Sequence, residues 1–291
     1  MPALALAAFA TGACSLVLGL DPLPLRTDAG APDASGDACD PSLGCSTCPH
    51  DFCDDFDLDG QSPSTKWPGI LGLESPFLRA DASVNLVEGR SAPLALGSHS
   101  GGDASVPSHA FVVRPMKGPD GGGPLLYGFD VLIDRITFDD TRGPVPDSGA
   151  ASVAAVLSPV NGNPAGVAIV VASDGLYLAA SEDVLGSTNA GVVRFFKGSI
   201  APLAGNWVRV EVFIGTEQAA LALGYTNCKG MKGTLAAARI PAIATNGCTE
   251  LPAPLADGTW TQLPVLLAGS YMFGAGKLDV RIDNVTADFV R

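Results

Sequence analysis

The sequence predicts an all-β fold, an antiparallel two-sheet sandwich or jelly roll, and three observations carry the prediction. In residues 207–214 the apolar Val208, Val210, Val212 and Ile214 recur at every second position. In residues 277–285, Leu278, Val280 and Ile282 alternate with Asp279, Arg281 and Asp283. A period of two marks a half-buried strand. Segments of helical period are nearly absent, and 35 Gly and 23 Pro cut the chain into short runs, as turns between strands require.

The remaining elements follow in chain order. Residues 111–113 form a short apolar run, and residues 125–133 place Tyr127, Phe129, Val131 and Ile133 on one face. Residues 153–157 and 167–172 read as small-residue strands suited to close sheet packing. Asp174-Gly175 joins residues 168–171 to residues 176–178 as a hairpin turn. The alternating strand at 207–214 is expected to pair back with residues 221–223, and residues 263–268 precede the closing strand. A closing strand of such regular alternation needs partners from far earlier in the chain, so it completes a fold. No internal repeat of fixed period appears, which argues against a propeller or solenoid.

Composition bounds the function. With 47% hydrophobic and only 16% charged residues in 291, the chain can bury the core of one large β-domain or two small ones. The formal charge of −13 disfavours nucleic acid and anionic membrane surfaces. Seven cysteines are ordinary for an exported chain and many for a cytosolic one.

The first segment, 1–13, reads as a signal peptide: an apolar run too short to span a bilayer as a helix. It ends Thr11-Gly12-Ala13-Cys14, which resembles the lipobox of bacterial lipoproteins. That resemblance implies lipidation of Cys14 and an outer-membrane or cell-surface protein whose membrane contact is the lipid anchor alone. An ordinary secretory signal and a buried apolar strand are the alternatives. Residues 14–38, rich in Asp, Pro, Gly and Ala, read as a flexible tether. Residues 39–53 form a cysteine-rich neck with Cys39, Cys45, Cys48, Cys53 and His50. The Cys45-x-x-Cys48 spacing suits zinc, but no second such pair follows, and an exporting compartment oxidises thiols, so two disulfides are expected. Their pairing is open. Cys228 and Cys248 are expected to staple one loop.

Residues 54–291 are expected to form the β-domain. Its opening Phe56-Asp57-Leu58-Asp59-Gly60, then Trp67, the Trp207-Val208-Arg209-Val210 strand and the closing Ile282-Asp283-Asn284-Val285 resemble the concanavalin A-like (laminin G-like) jelly rolls. The resemblance runs from Phe52 to Arg291. It implies a sandwich with Trp67 and Trp207 packed inside, in a family of sugar-binding modules and laminarinase-type hydrolases. It also implies a structural calcium shared by Asp57 and Asp283, with Asp55 and Asp59 as helpers, tying the first strand to the last.

Catalytic groups are not legible. The related hydrolases carry a Glu-x-Asp-x-x-Glu strand, and this chain has none; its six glutamates are scattered. Glu211 reads as a solvated outer-face residue, and His99-Ser100 as an exposed loop pair in a Gly/Ser-rich stretch that also holds His109. Trp260, Tyr177 and Tyr271 are the aromatics free to stack on a sugar. The expectation is a non-catalytic, surface-tethered protein that binds glycan. The alternatives are a structural or adhesive envelope protein with a protein partner, and a polysaccharide-cleaving enzyme.

Overall fold

The computed structural model describes residues 50–56, 66–67, 69–71, 82–90, 94–102, 108–139, 145, 149–158, 165–181, 191–198, 205–243, 246–252 and 255–290. The chain divides into two units, Met1–Asp33 and Ala34–Arg291, and every described residue belongs to the second. Cys14, the signal, the tether, Cys39, Cys45 and Cys48 lie outside the described residues.

The described strands are β1 (Phe52–Asp54), β2 (Gly69–Leu71), β3 (Ala82–Glu88), β4 (Leu94–Gly102), β5 (Ser108–Pro115), β6 (Leu125–Phe138), β7 (Ala150–Ser158) and β8 (Ala165–Ala172). They continue as β9 (Gly175–Ser181), β10 (Gly191–Lys197), β11 (Val208–Thr216), β12 (Thr234–Arg239), β13 (Asn246–Glu250), β14 (Val265–Met272) and β15 (Gly276–Phe289). One sheet runs β13-β12-β11-β6-β15-β4-β3, with β1 also on β15; the other runs β10-β9-β8-β7-β14-β5-β2. This is an antiparallel two-sheet jelly-roll sandwich. Period-two alternation sends Tyr127, Phe129, Val131 and Ile133 of β6 and Leu278, Val280 and Ile282 of β15 into one core, opposite Val112, Val156, Ile169, Leu178 and Leu266 of the facing sheet. Tyr127 also donates its hydroxyl to the Leu267 carbonyl across the sandwich at 2.9 Å.

The closing strand is the centre of its sheet. On one side it pairs with β6 over nearly its whole length. On the other side its first half pairs with β4 and its second half with β1, Phe52 facing Ala287 and Asp54 facing Val285. The sheet therefore begins at Phe52, two residues ahead of the expected boundary. Asp54, only 4% exposed, organises this opening. Its carboxylate accepts from Trp67 Nε1 at 2.7 Å, the Phe56 amide at 3.0 Å and Lys66 Nζ at 2.9 Å. Phe52 and Phe56 pack against Trp67, which is fully buried as expected. Trp207, by contrast, is half-buried just ahead of β11.

The expected pairing of residues 221–223 with β11 is replaced by a helix, α1 (Glu217–Ala222). Thr216 caps it by accepting from the Ala219 amide, and Glu217 sits in the first turn, where the helix dipole favours an acid. The partner of β11 on this side is instead β12, which lies within the loop closed by the Cys228–Cys248 disulfide, with Cα atoms 5.3 Å apart. That staple is as expected. Cys53 is also disulfide-bonded.

Candidate functional site

The polar character of the protein concentrates on the outer face of the sheet that contains β15. Since Val84 and Leu86 of β3, Leu96 of β4 and Leu278, Val280 and Ile282 of β15 pack on the core, the alternate residues face outward. Strand register then aligns them in rows. Ser83, His99, Asp279 and Arg135 are successive cross-strand partners on β3, β4, β15 and β6. Asn85, Gly97 and Arg281 form the row beside them.

These rows line an open groove of about 390 Å³ with Ser83, Asn85, Glu88, His99, Asp134 and Arg281 among its walls, a volume within the range of about 300–1,000 Å³ usual for ligand sites. Gly97 is its floor. A Cβ there would stand 2.7 Å from Asn85 Oδ1 and 2.8 Å from a Val87 methyl, so a side chain at this position would displace the amide. Asp279 holds two groups at once: His99 Nδ1 contacts Oδ1, and Arg135 Nε donates to Oδ2 at 2.6 Å. Arg281 donates twice to Asp134, at 2.8 and 3.1 Å, and to the Glu88 carbonyl at 3.3 Å. In the groove Arg281 is thus held by Asp134, and Asp279 by His99 and Arg135, while Glu88 adds a further acid to the wall.

Further along β15 the same face carries a buried ionic cluster. The strand bulges between Asp283 and Thr286, and Asn284 takes a left-handed φ of 47°, which Asn tolerates better than most residues. Its amide donates to Asp130 Oδ2 at 2.8 Å. Arg209 reaches over Gly128 to the Asn284 carbonyl at 2.6 Å and Thr286 Oγ1 at 2.7 Å. A Cβ at Gly128 would lie 2.4 Å from the guanidinium, so only glycine leaves room. Burial lowers the Arg209 pKa, opposed by the charges of Asp130 and Glu211.

Several expectations change against this geometry. His99 and Ser100 are not an exposed loop pair: both belong to β4, Ser100 fully buried and His99 half-buried. Glu211 faces outward but is 7% exposed and pairs with Arg239 at 2.7 Å, so it is not solvated. Tyr177 and Tyr271 are buried on the outer face of the other sheet, Tyr271 packed against Phe273 with ring centres 4.5 Å apart and against His109 at 5.7 Å. They offer no exposed stacking surface. Trp260 sits in a short 3-10 turn, Thr259–Gln262.

Asp283 is fully buried; Oδ2 accepts the Arg90 amide at 2.9 Å and Oδ1 the Asn284 amide at 2.7 Å. The Arg90 guanidinium lies 3.0 Å from neighbouring Asp130. These are N–H donors and a cation, which satisfy carboxylates directly and do not make the oxygen cage that calcium takes. Asp57 lies outside the described residues. Among the described residues no group of three or more His, Cys, Asp or Glu could hold a metal ion.

No protein-family model matches the sequence, and no curated protein sequence matches it. Solved structures do match in fold. An endo-β-1,4-glucuronan lyase from the fungus Trichoderma reesei superposes with a TM-score of 0.47 at 15% identity, covering 83% of this chain and 96% of that one. An alginate lyase superposes at 0.43 and 11% identity, over 72% and 85%. A lectin complexed with galactose superposes at 0.38 and 12% identity, over 82% and 98%. The likeness is one of fold. It corrects the expectation of a non-catalytic protein, because polysaccharide lyases stand beside lectins among the structures that share this architecture.

Proposed function

We propose that the protein binds a neutral glycan chain in the groove between β3 and β6, on an exported ectodomain tethered through Cys14. The observation that carries this reading is the groove wall of Asn85, Ser83, Glu88, Asp134 and Arg281, in which Arg281 is already paired with Asp134. Such a surface presents fixed donors and acceptors to hydroxyl groups, and its acids outnumber its bases, which disfavours an anionic ligand. The formal charge of −13 further repels polyuronates at long range. Among the described residues no Phe, Tyr or Trp lines the groove, so recognition by these residues rests on hydrogen bonds and not on stacking. The Cys228–Cys248 bond and the disulfide at Cys53 support an oxidising compartment.

A glycan array on the full chain, followed by calorimetry with the best oligosaccharide, tests the reading. Neutral glycans should bind, and Asn85→Ala should weaken them at least tenfold. Binding that survives Asn85→Ala and Asp134→Ala unchanged would move the site elsewhere, and a pull-down yielding a defined protein partner with no glycan bound would replace the reading.

A further inference from the structure

A second cavity lies at the start of β6, away from the groove, and its lining has a different chemistry. We propose that it is a pocket for a single neutral sugar ring, separate from the groove and independent of what the groove binds.

The pocket has a volume of about 160 Å³. Its walls are residues 121–124 ahead of β6, Gly215 and Thr216 at the end of β11, Thr234 at the start of β12, and Asp257, Gly258 and Thr261. That volume is below the about 300 Å³ at which sites for larger ligands begin, so the pocket takes one ring and not a chain. Pro124 on its wall and Asp134 in the groove are ten residues apart along an extended strand. At about 3.3 Å per residue the two sites are about 30 Å apart.

The walls are fixed to one another. The Gly118 amide donates to the Gln262 carbonyl at 2.6 Å, and the Gly123 amide donates to Thr261 Oγ1 at 2.8 Å. Thr261 Oγ1 in turn donates to the Gly258 carbonyl at 2.8 Å, and Thr234 Oγ1 to the Ala256 carbonyl at 2.7 Å. Gly122 has a left-handed φ of 77°, and a Cβ there would stand 2.3 Å from the Gly258 carbonyl oxygen. Only glycine lets these two loops close on each other. A wall already in place spares a small ligand the cost of ordering it.

The hydrogen-bonding capacity left over decides the ligand. Asp257 Oδ1 accepts from the amide and the hydroxyl of Thr259, both at 3.0 Å, and Oδ2 has no partner among the described residues. Thr234 Oγ1 has given its proton to Ala256 and keeps a lone pair; Thr216 Oγ1 accepts from the Ala219 amide at 3.4 Å and keeps its proton. Two acceptors and one donor therefore remain, a set that the hydroxyls of a sugar satisfy in both senses. A carboxylate or phosphate would meet Asp257, and among the described residues no Lys or Arg lines the pocket to offset it. Pro124 gives the C–H face of the ring an apolar wall. It packs so close over Gly215 that a Cβ at that glycine would lie 2.9 Å from the Pro124 Cβ. The turn that supplies Thr261 also carries Trp260, read from the sequence as free to stack on a sugar.

The test is an amide chemical-shift titration of the full chain. The probes are the methyl glycosides of glucose, galactose, mannose and N-acetylglucosamine, with glucuronic acid as the anionic comparison. At least one neutral glycoside should shift the amides of residues 121–123, 215–216 and 257–261, with a Kd on the order of 1 mM for a ligand of this size. Glucuronic acid should bind about tenfold more weakly. Asp257→Asn keeps an oxygen for Thr259 and replaces the free one with a donor, so it should weaken the neutral ligand about tenfold while leaving the other amide positions unchanged. Thr234→Val, which preserves shape and removes one acceptor, should weaken it as well. No shift at these amides with any neutral glycoside up to its solubility, or shifts confined to the groove, overturns the proposal. So does binding unchanged in Asp257→Asn, or glucuronic acid binding as tightly as the neutral ring.

Discussion

Asp54→Ala tests what ties the opening of the chain to the sandwich. The carboxylate is 5% exposed and accepts three hydrogen bonds. Its removal strands the Trp67 indole N–H in a fully buried position, an unsatisfied donor that costs about 1–3 kcal/mol. The Lys66 contribution is smaller, about 0–1 kcal/mol, because that ammonium is 30% exposed and water replaces its partner. The loss of the Phe56 amide bond adds about 1 kcal/mol, since that bond helps to hold Phe56 at its left-handed φ of 58°. Together the change comes to about 3 kcal/mol, and at about 2–4 °C per kcal/mol for a domain of this size the melting temperature falls by about 6–12 °C. Asp54→Asn, which keeps one carbonyl oxygen for the indole, should lose roughly half as much. Calorimetry of the purified chain measures both. A fall below about 2 °C for Asp54→Ala would refute the argument that buried, unpaired polar groups dominate here.

Other expectations are more briefly stated. Gly97→Leu should fill the groove floor and abolish glycan binding by calorimetry while leaving far-UV circular dichroism intact, because the displaced Asn85 is exposed; retained binding would place the ligand elsewhere. Reduction of Cys228–Cys248, which closes a loop of sequence separation 20, should cost about 3 kcal/mol, read as a lower urea midpoint for Cys228→Ser with Cys248→Ser. Burial lowers the His109 pKa from 6.5, so the unfolded chain binds the proton more readily and stability falls as pH drops through and below 6.5. His109→Gln should flatten the dependence of melting temperature on pH across that window, and an unchanged slope would show that His109 is not the group responsible. The N–H donors around Asp283 predict that EDTA leaves the melting temperature unchanged; a fall of several degrees reversed by calcium would place a cation between Asp283 and the segment of Asp57. Cys14→Ser should release the chain from membranes and end its labelling with radioactive palmitate.

The strands that alternate apolar and polar residues were legible from the sequence alone, because burial of one sheet face imposes that period locally. Residues 125–133, 207–214 and 277–285 all carry it, and Asp174-Gly175 marks its turn by backbone conformation, a local property. The crossing of the chain ends was also legible; among the described residues Asp54 organises the opening, and Asp57 lies outside them. The α1 helix was missed, yet its local signal existed: Thr216 followed by Glu217 is a helix start. For β4 no such signal existed. Leu94–Gly102 places Ser98 and Ser100 inward and Gly97 and His99 outward, so neither face is apolar enough to show a period. Its strand conformation comes from the main-chain ladders of β3 and β15 on either side. The candidate site depended on the same nonlocal pairing: Asp279 lies 180 residues from His99, and strand register alone sets them side by side. Composition and periodicity encode which residues are buried; which polar residues meet on the exposed face is decided by register, and register is a property of the assembled sheet.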